Sequence, residues 1–228
     1  TTDIYTLSLH DALPILRNCD LYGAYSNFAP EYDQIVGGVY GRPINAVFAA
    51  GNYRQGSSTN DCGVGPYRTI GPPGTAKNVI TVGAIQSDDN RVAFFSSWGP
   101  VADGRLKPEL VAPGAQAGGD GGVTSTLPGN GYGVRQGTSM AAPAVSGAIA
   151  LLVEDYRNRN NQRDPFPATV RALLVHSALD LTAADGFLNR GPDFASGYGR
   201  LRIPAAIEQL RGGRSEEHTS ELQSPNTI

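Results

Sequence analysis

Short continuous apolar runs alternate with stretches of helical periodicity along this chain. Ala46-Val47-Phe48-Ala49-Ala50 is apolar throughout and stops at Gly51, the pattern of a strand buried on both faces. Val79-Ile80-Thr81-Val82 reads the same way, and Leu110-Val111-Ala112 runs into Pro113-Gly114, a strand-to-turn exit. Arg91 to Ser97 alternates around Val92, Phe94 and Phe95. The intervening segments read as helices. Ala24 to Val36 carries Phe28, Tyr32 and Ile35/Val36 on one stripe, with Pro30 confined to the first turn. Ser139 to Asp155 and Ala168 to Ala178 follow, the latter with Val170, Leu173, Leu174 and Ala178 as its apolar face, and Pro204 to Leu210 closes the series. Strands alternating with helices predict an α/β fold: a doubly wound, mostly parallel sheet flanked by helices. Ligands in such sheets sit at the carboxyl ends of strands, and Asn52 stands at one.

The helix beginning at Ser139 is made almost wholly of small residues: Ala141, Ala142, Ala144, Gly147, Ala148 and Ala150. It has hardly any bulky polar face, so it should be buried centrally. A serine at its entrance has two readings. Serine is favoured at helix starts for local hydrogen bonding. It is also well placed as a nucleophile, because the helix N-terminus offers free N–H groups and partial positive charge to a developing oxyanion. Pro143 removes one backbone donor, which should loosen the turn near the Ser139 carbonyl and fix the angle at which the serine enters a cleft.

The flanks decide between these readings. Gly137-Thr138-Ser139-Met140-Ala141-Ala142-Pro143, with Thr126-Leu127-Pro128-Gly129-Asn130 ahead of it, resembles the nucleophile region of subtilisin-like serine proteases, the subtilases (peptidase S8). Ala49-Ala50-Gly51-Asn52 resembles their oxyanion-asparagine segment. Gly71 to Ala84, Phe95 to Pro100, Asp103 to Glu109 and Val111 to Gly114 resemble the segments in between. The resemblance implies a subtilisin-like fold and an acyl-enzyme on Ser139. It makes Asn52 the side-chain donor to the oxyanion, and Ala49, Ala50 and Gly51 one wall of the substrate pocket. It implies protein or peptide substrates, no required cofactor, no catalytic metal and an extracellular location. Structural calcium in the full-length protein fits the family, with no ligand assignable here; Asp88-Asp89-Asn90 lacks the spacing of a dedicated loop.

The chain also departs from the family. The aspartate and histidine motifs expected upstream of the oxyanion segment do not occur, so the chain reads as an N-terminally truncated portion of a catalytic domain. His176 lies on the flank of a late helix and Asp33 on an early one, where it should be solvated. A serine without its base is a weak nucleophile, so the isolated chain is expected to be inactive. A non-catalytic, peptide-binding relative of the family is the alternative. An esterase of the α/β-hydrolase type is disfavoured, because its Gly-x-Ser-x-Gly elbow would require glycine where Ala141 stands.

Composition narrows the setting. The net charge of −3 suggests neither nucleic-acid binding nor a polybasic membrane surface, and no apolar run is long enough to span a bilayer. Arg105, Lys107 and Glu109 read as surface or loop-anchoring charges. Residues 1–15 and 214–228 resemble translated sequencing adapter, leaving 16–213 as the expected native segment. Cys19 and Cys62 are the only cysteines, and spacing leaves open whether they form a disulfide or remain two buried thiols.

Overall fold

The computed structural model describes residues 19–26, 28–54, 66–118, 121–181 and 190–212. The two adapter-like ends, Cys62 and the centre of the Gly118–Gly122 run lie outside the described residues.

Among the described residues, three parallel strands form the sheet, in the order β1 (Val47–Ala49), β2 (Ile80–Gln86), β3 (Leu110–Ala115). Val47 faces Ile80 and Ala49 faces Val82 across the first pair; Val82 faces Leu110 and Ala84 faces Ala112 across the second. Successive side chains on a strand point to opposite faces, and both faces are covered here. Val47, Ile80, Val82, Ala84, Leu110 and Ala112 join a core with the long helix α2 (Thr138–Arg159), α3 (Pro167–His176) and α4 (Ile203–Leu210). Ala46, Phe48 and Val79 pack on the other face against Ala29, Tyr32 and Val36 of α1 (Phe28–Val36). Ile85 and Val111 meet Trp98 and Ala195 in a third cluster. The layered α/β arrangement is therefore the expected one, and the continuous apolar runs were apolar because each strand is covered on both sides.

Small residues let α2 lie close to the sheet. Ala141, Ala142, Val145, Ala148, Ile149 and Leu152 are buried against all three strands. Burial is nevertheless one-sided: Pro143, Ala144 and Gly147 are exposed, and Leu151 retains 48% of its surface. Pro143 does not break the helix, which continues to Arg159.

Other elements differ from the sequence reading for local reasons. Strand β3 continues through Pro113-Gly114 to Ala115, because Pro113 sits where the ladder with β2 shifts register at Ile85/Gln86 and no regular N–H donor is required. Arg91 to Ser97 is not a strand. After a turn in which Asn90 adopts a positive φ of 61°, the chain comes back against β2, but only Val92 bridges to Ile85 and Phe94 stays 53% exposed. An antiparallel hairpin of β4 (Val123–Leu127) and β5 (Gly131–Arg135) was not anticipated. Its signal was present: Pro128-Gly129-Asn130, with φ of 85° at Gly129 and 60° at Asn130, turns between Val123-Thr124-Ser125-Thr126-Leu127 and a segment carrying Tyr132 and Val134.

The surface reading of Lys107 and Glu109 is overturned. Both side chains are 1% exposed and form an ion pair at 2.6 Å just ahead of β3. Lys107 Nζ also donates to the Val79 carbonyl at 3.0 Å. The Glu109 carboxylate accepts from the Thr81 N–H at 2.7 Å and from Arg171 of α3 at 2.6 Å. Glu109 thus joins β2, β3 and α3. Arg105 is a loop anchor as expected, donating to Asp103 and to the Thr75 carbonyl. Asp33 is not merely solvated: its carboxylate accepts from the Lys77 and Asn78 N–H groups and from the Tyr25 hydroxyl.

Glu109 is the one anion between two cations, so its loss should be worse than loss of Lys107. Removing one partner of a buried pair costs about 3–5 kcal/mol when a charge is left uncompensated. Glu109→Ala should approach that loss in urea unfolding, whereas Lys107→Met leaves Glu109 paired with Arg171 and should cost less. Burial pushes the Lys107 ammonium down to about 8, partly countered by Glu109. The unfolded chain therefore holds this proton more tightly. Relative to Lys107→Met, the wild-type chain should gain stability as pH rises from about 8 to the ordinary lysine value. A flat difference across that window would contradict the burial effect.

Candidate active site

The site forms where the carboxyl ends of β1 and β3 meet the start of α2. The Ala50 N–H, donated to the Val82 carbonyl at 2.9 Å, keeps the chain aligned with the sheet as β1 ends. Gly51 then turns with φ of 103°, and a Cβ there would lie 2.9 Å from the Tyr53 ring. Ser97 clamps this turn from both sides: its N–H donates to the Gly51 carbonyl at 2.9 Å, and its hydroxyl accepts from the Tyr53 N–H at 3.1 Å. Asn52 projects from the turn and is exposed.

From the other strand, the Gly114 carbonyl accepts the Gly137 N–H at 2.8 Å. A Cβ on Gly114 would lie 2.6 Å from the Gly137 carbonyl oxygen, so only glycine permits this approach. Hairpin β4–β5 lies between the two glycines in sequence and returns the chain to the end of β3. Gly137, with φ of 150°, precedes Thr138, the first residue of α2.

Thr138 ties the two halves together. It is fully buried, and its backbone N–H and hydroxyl both donate to Asn52 Oδ1, at 2.9 and 3.0 Å. The hydroxyl in turn accepts the Gly51 N–H at 3.2 Å. A backbone N–H is an unambiguous donor, so these bonds assign the Asn52 oxygen toward the helix. Asn52 Nδ2 is thereby left as a donor with no acceptor among the described residues. It lies 3.3 Å from the place a Cβ on Gly137 would occupy.

Ser139 follows Thr138 directly and is half-buried. Its N–H belongs to the first turn, whose donors have no acceptor within the helix. There is no acidic residue in that turn to cancel the helix dipole. Pro143 offers no N–H to the Ser139 carbonyl, as the sequence implied. The arrangement can hold a negatively charged oxygen between a side-chain amide and backbone donors, next to a hydroxyl.

The other predicted residues fall as follows. Ala49 is partly buried against the main core, Ala50 is 2% exposed, and Gly51 is the turn just described. His176, the one histidine among the described residues, ends α3 and is exposed. His10 and His218 lie outside the described residues. The Asp88 carboxylate accepts the N–H groups of Ala117 and Gly118, which hold it below the usual carboxylate range. Asp89 accepts from the Arg91 N–H. These two carboxylates pin the loop after β2.

The subtilase family profile matches residues 3–199. The chain belongs to the subtilase family. Subtilisin DY of Bacillus licheniformis is 37% identical over 175 residues, which is 77% of this chain and 51% of that protein. An intracellular serine protease of Paenibacillus polymyxa is 33% identical over 67% of this chain and 40% of its own length. Among solved structures, the patellamide maturation protease PatA superposes with a TM-score of 0.64 at 27% identity, covering 85% of this chain and 60% of that one. The chain thus spans about half or less of the length of these curated relatives.

In this subtilase chain, Thr138 entered the sequence reading only as part of the Gly137–Pro143 motif. Its bridge from Gly51 to Asn52 needed coordinates, because the partners are 86 and 87 residues away in sequence. Gly114 was read as a turn glycine, whereas its task is the close approach to Gly137. Thr138→Val, made in the full-length protein, removes one of the two bonds orienting Asn52 and leaves the Gly51 N–H unpaired. A lost hydrogen bond of about 1 kcal/mol predicts a fall in kcat of roughly fivefold, with KM little changed. An unchanged kcat would show that the Thr138 hydroxyl does not position the amide.

Proposed function

We propose that this chain is part of a serine endopeptidase domain that hydrolyses peptide bonds through an acyl-enzyme on Ser139. The observation that carries the reading is the pair of bonds from Thr138 to Asn52 Oδ1, which leaves the Asn52 amide as a free donor beside the N-terminus of the Ser139 helix. Ser139 Oγ attacks the substrate carbonyl and gives its proton to a histidine, which an aspartate orients. The carbonyl oxygen becomes an oxyanion, held by Asn52 Nδ2 and the Ser139 N–H. The protonated histidine then gives its proton to the leaving amine as the tetrahedral intermediate collapses. Water, deprotonated by the same histidine, releases the acid and regenerates Ser139. The chemistry needs no cofactor, and structural calcium is left to the full-length protein.

The histidine and aspartate must come from elsewhere in the protein. Ala49, Ala50 and Gly51 serve as one wall for the substrate residue before the scissile bond. Substrates are proteins or peptides. We assign an extracellular location on the likeness to the subtilisins; an intracellular relative makes a secretion assay of the full-length protein the direct test. A second reading, a non-catalytic subtilase-like domain that binds peptides, is favoured by one observation: His176, the histidine among the described residues, is not at the site.

A fluorophosphonate label on the full-length protein separates the two. Labelling at Ser139, abolished by Ser139→Ala and accompanied by peptide turnover, supports the enzyme; no labelling supports the binding domain. Asn52→Ala should then lower kcat by about 10²–10³, a cost measured in a subtilisin for loss of one oxyanion donor and not obtained from this chain. The chain studied alone should show little or no hydrolysis, and robust turnover lost in Ser139→Ala would contradict that expectation.

A further inference from the structure

At the opposite end of the sheet from Ser139 lies an open groove of about 620 Å³. Asn78, on its rim, precedes β2, whereas Gly51 and Gly137 meet beyond the carboxyl ends of β1 and β3. The groove runs between the end of α1 and the face of α3. Val36, Pro43, Phe166 and Val175 give it apolar walls, and Arg171 is its charged group. Its volume falls in the range of about 300–1,000 Å³ typical of small-ligand sites.

We infer that this groove binds the free C-terminal carboxylate of a peptide ending in an apolar residue. Three observations converge on that chemistry. The first is charge. Lys107 and Arg171 share the single carboxylate of Glu109, so the cluster carries one positive charge in excess. Lys107 is sealed, whereas the Arg171 side chain keeps 33% of its surface, so an anion can meet this excess from the groove only at Arg171. The neighbouring Asp33 carboxylate, held by the Lys77 and Asn78 N–H groups and Tyr25, has a counter-charge of its own in the Lys77 ammonium, which lies 4.7 Å over the Tyr25 ring.

The second observation is donor geometry. Arg171 donates to Glu109 and to the Lys77 carbonyl, each at 2.6 Å. A guanidinium has further N–H donors beyond these, in a planar fork suited to a carboxylate. The third is the rim. Asn78 Nδ2 donates to the Asp33 carbonyl at 3.3 Å, leaving Asn78 Oδ1 without a partner among the described residues. That oxygen can accept a peptide N–H, which a fatty acid lacks. Phe166 is 72% exposed and Tyr198 is 40% exposed, so an apolar terminal side chain would cover aromatic surface that water now meets. This site is independent of the proteolytic reading and stands or falls without it.

The test uses the full chain carrying Ser139→Ala, so that no peptide is cut. Calorimetric titration compares an acetylated tetrapeptide ending in leucine as the free acid, the same peptide as its amide, and dodecanoate. The acid should bind about tenfold or more tightly than the amide, the scale of one charge-assisted bond, and more tightly than dodecanoate. Arg171→Gln should erase the difference between acid and amide. Phe166→Ala, at an exposed position that the fold does not depend on, should weaken acid and amide together by about threefold or more. Equal binding of acid and amide, preference for dodecanoate, no measurable binding, or unchanged affinity in Phe166→Ala would each overturn the proposal.

Discussion

The site depends on one oxygen, Asn52 Oδ1, and on the two Thr138 donors that reach it. This pair of bonds joins a turn at the end of β1 to the start of α2, 86 residues later. It decides which end of the amide faces the helix and which end is free. Everything around it serves to bring the two backbones close: glycine at 51 to make the turn, glycine at 114 to receive Gly137, and Ser97 to clamp the loop. The oxyanion role proposed for Asn52 needs donors fixed before charge develops, because reorienting dipoles during the reaction would cost the energy they supply. Here the fixing groups are buried and the free donor is exposed. That division keeps the donor rigid while leaving it open to a substrate.

The end of the sheet remote from Ser139 is held by a different kind of interaction. Glu109 accepts from a β2 N–H, from a lysine just before β3 and from an arginine on α3, so one carboxylate ties together three elements of the core. A buried ionic cluster is not a cheap source of stability, since the ions lose their hydration. Its value is positional. A hydrocarbon contact would let α3 slide over the sheet, whereas a carboxylate with three donors accepts one placement. Asp33 does similar work nearer the surface by gripping two consecutive N–H groups ahead of β2. The parallel strands are thus pinned by charge at their starts and by the amide bridge at their ends.

The layers were legible in the sequence because covering a strand on both faces leaves a continuous apolar run, as at Val47–Ala49 and Ile80–Val82. The serine and the asparagine were legible because each sits at a glycine-marked boundary between apolar segments. What failed had a common cause. Lys107 and Glu109 are charged, and charge is ordinarily a surface signal; only their mutual contact, and Arg171 from 62 residues away, explains their burial. Asp33 lies near the surface as expected, but its grip on the Lys77 and Asn78 N–H groups, 44 and 45 residues away, could not be read from the sequence. The hairpin escaped notice because none of its strand residues is fully buried, so it carries no core pattern. Where a residue's partner is distant in sequence, composition cannot say what that residue does.

The small residues on the inner face of α2 answer one demand, close approach to the sheet. Ala141, Ala142 and Ala148 let the helix axis approach the sheet, which carries Ser139 to the level of the β1 and β3 ends. A helix of larger residues would stand further off, and the bonds from Thr138 to Asn52 could not close. On the outer face, Pro143, Ala144 and Gly147 make the surface equally shallow, although no such approach to the sheet is required there. Helix propensity does not account for this, because glycine and proline are the poorest helix formers and a soluble face is ordinarily filled with Glu, Lys or Gln. The packing that makes the site requires the inner alanines; the outer ones have no partner among the described residues.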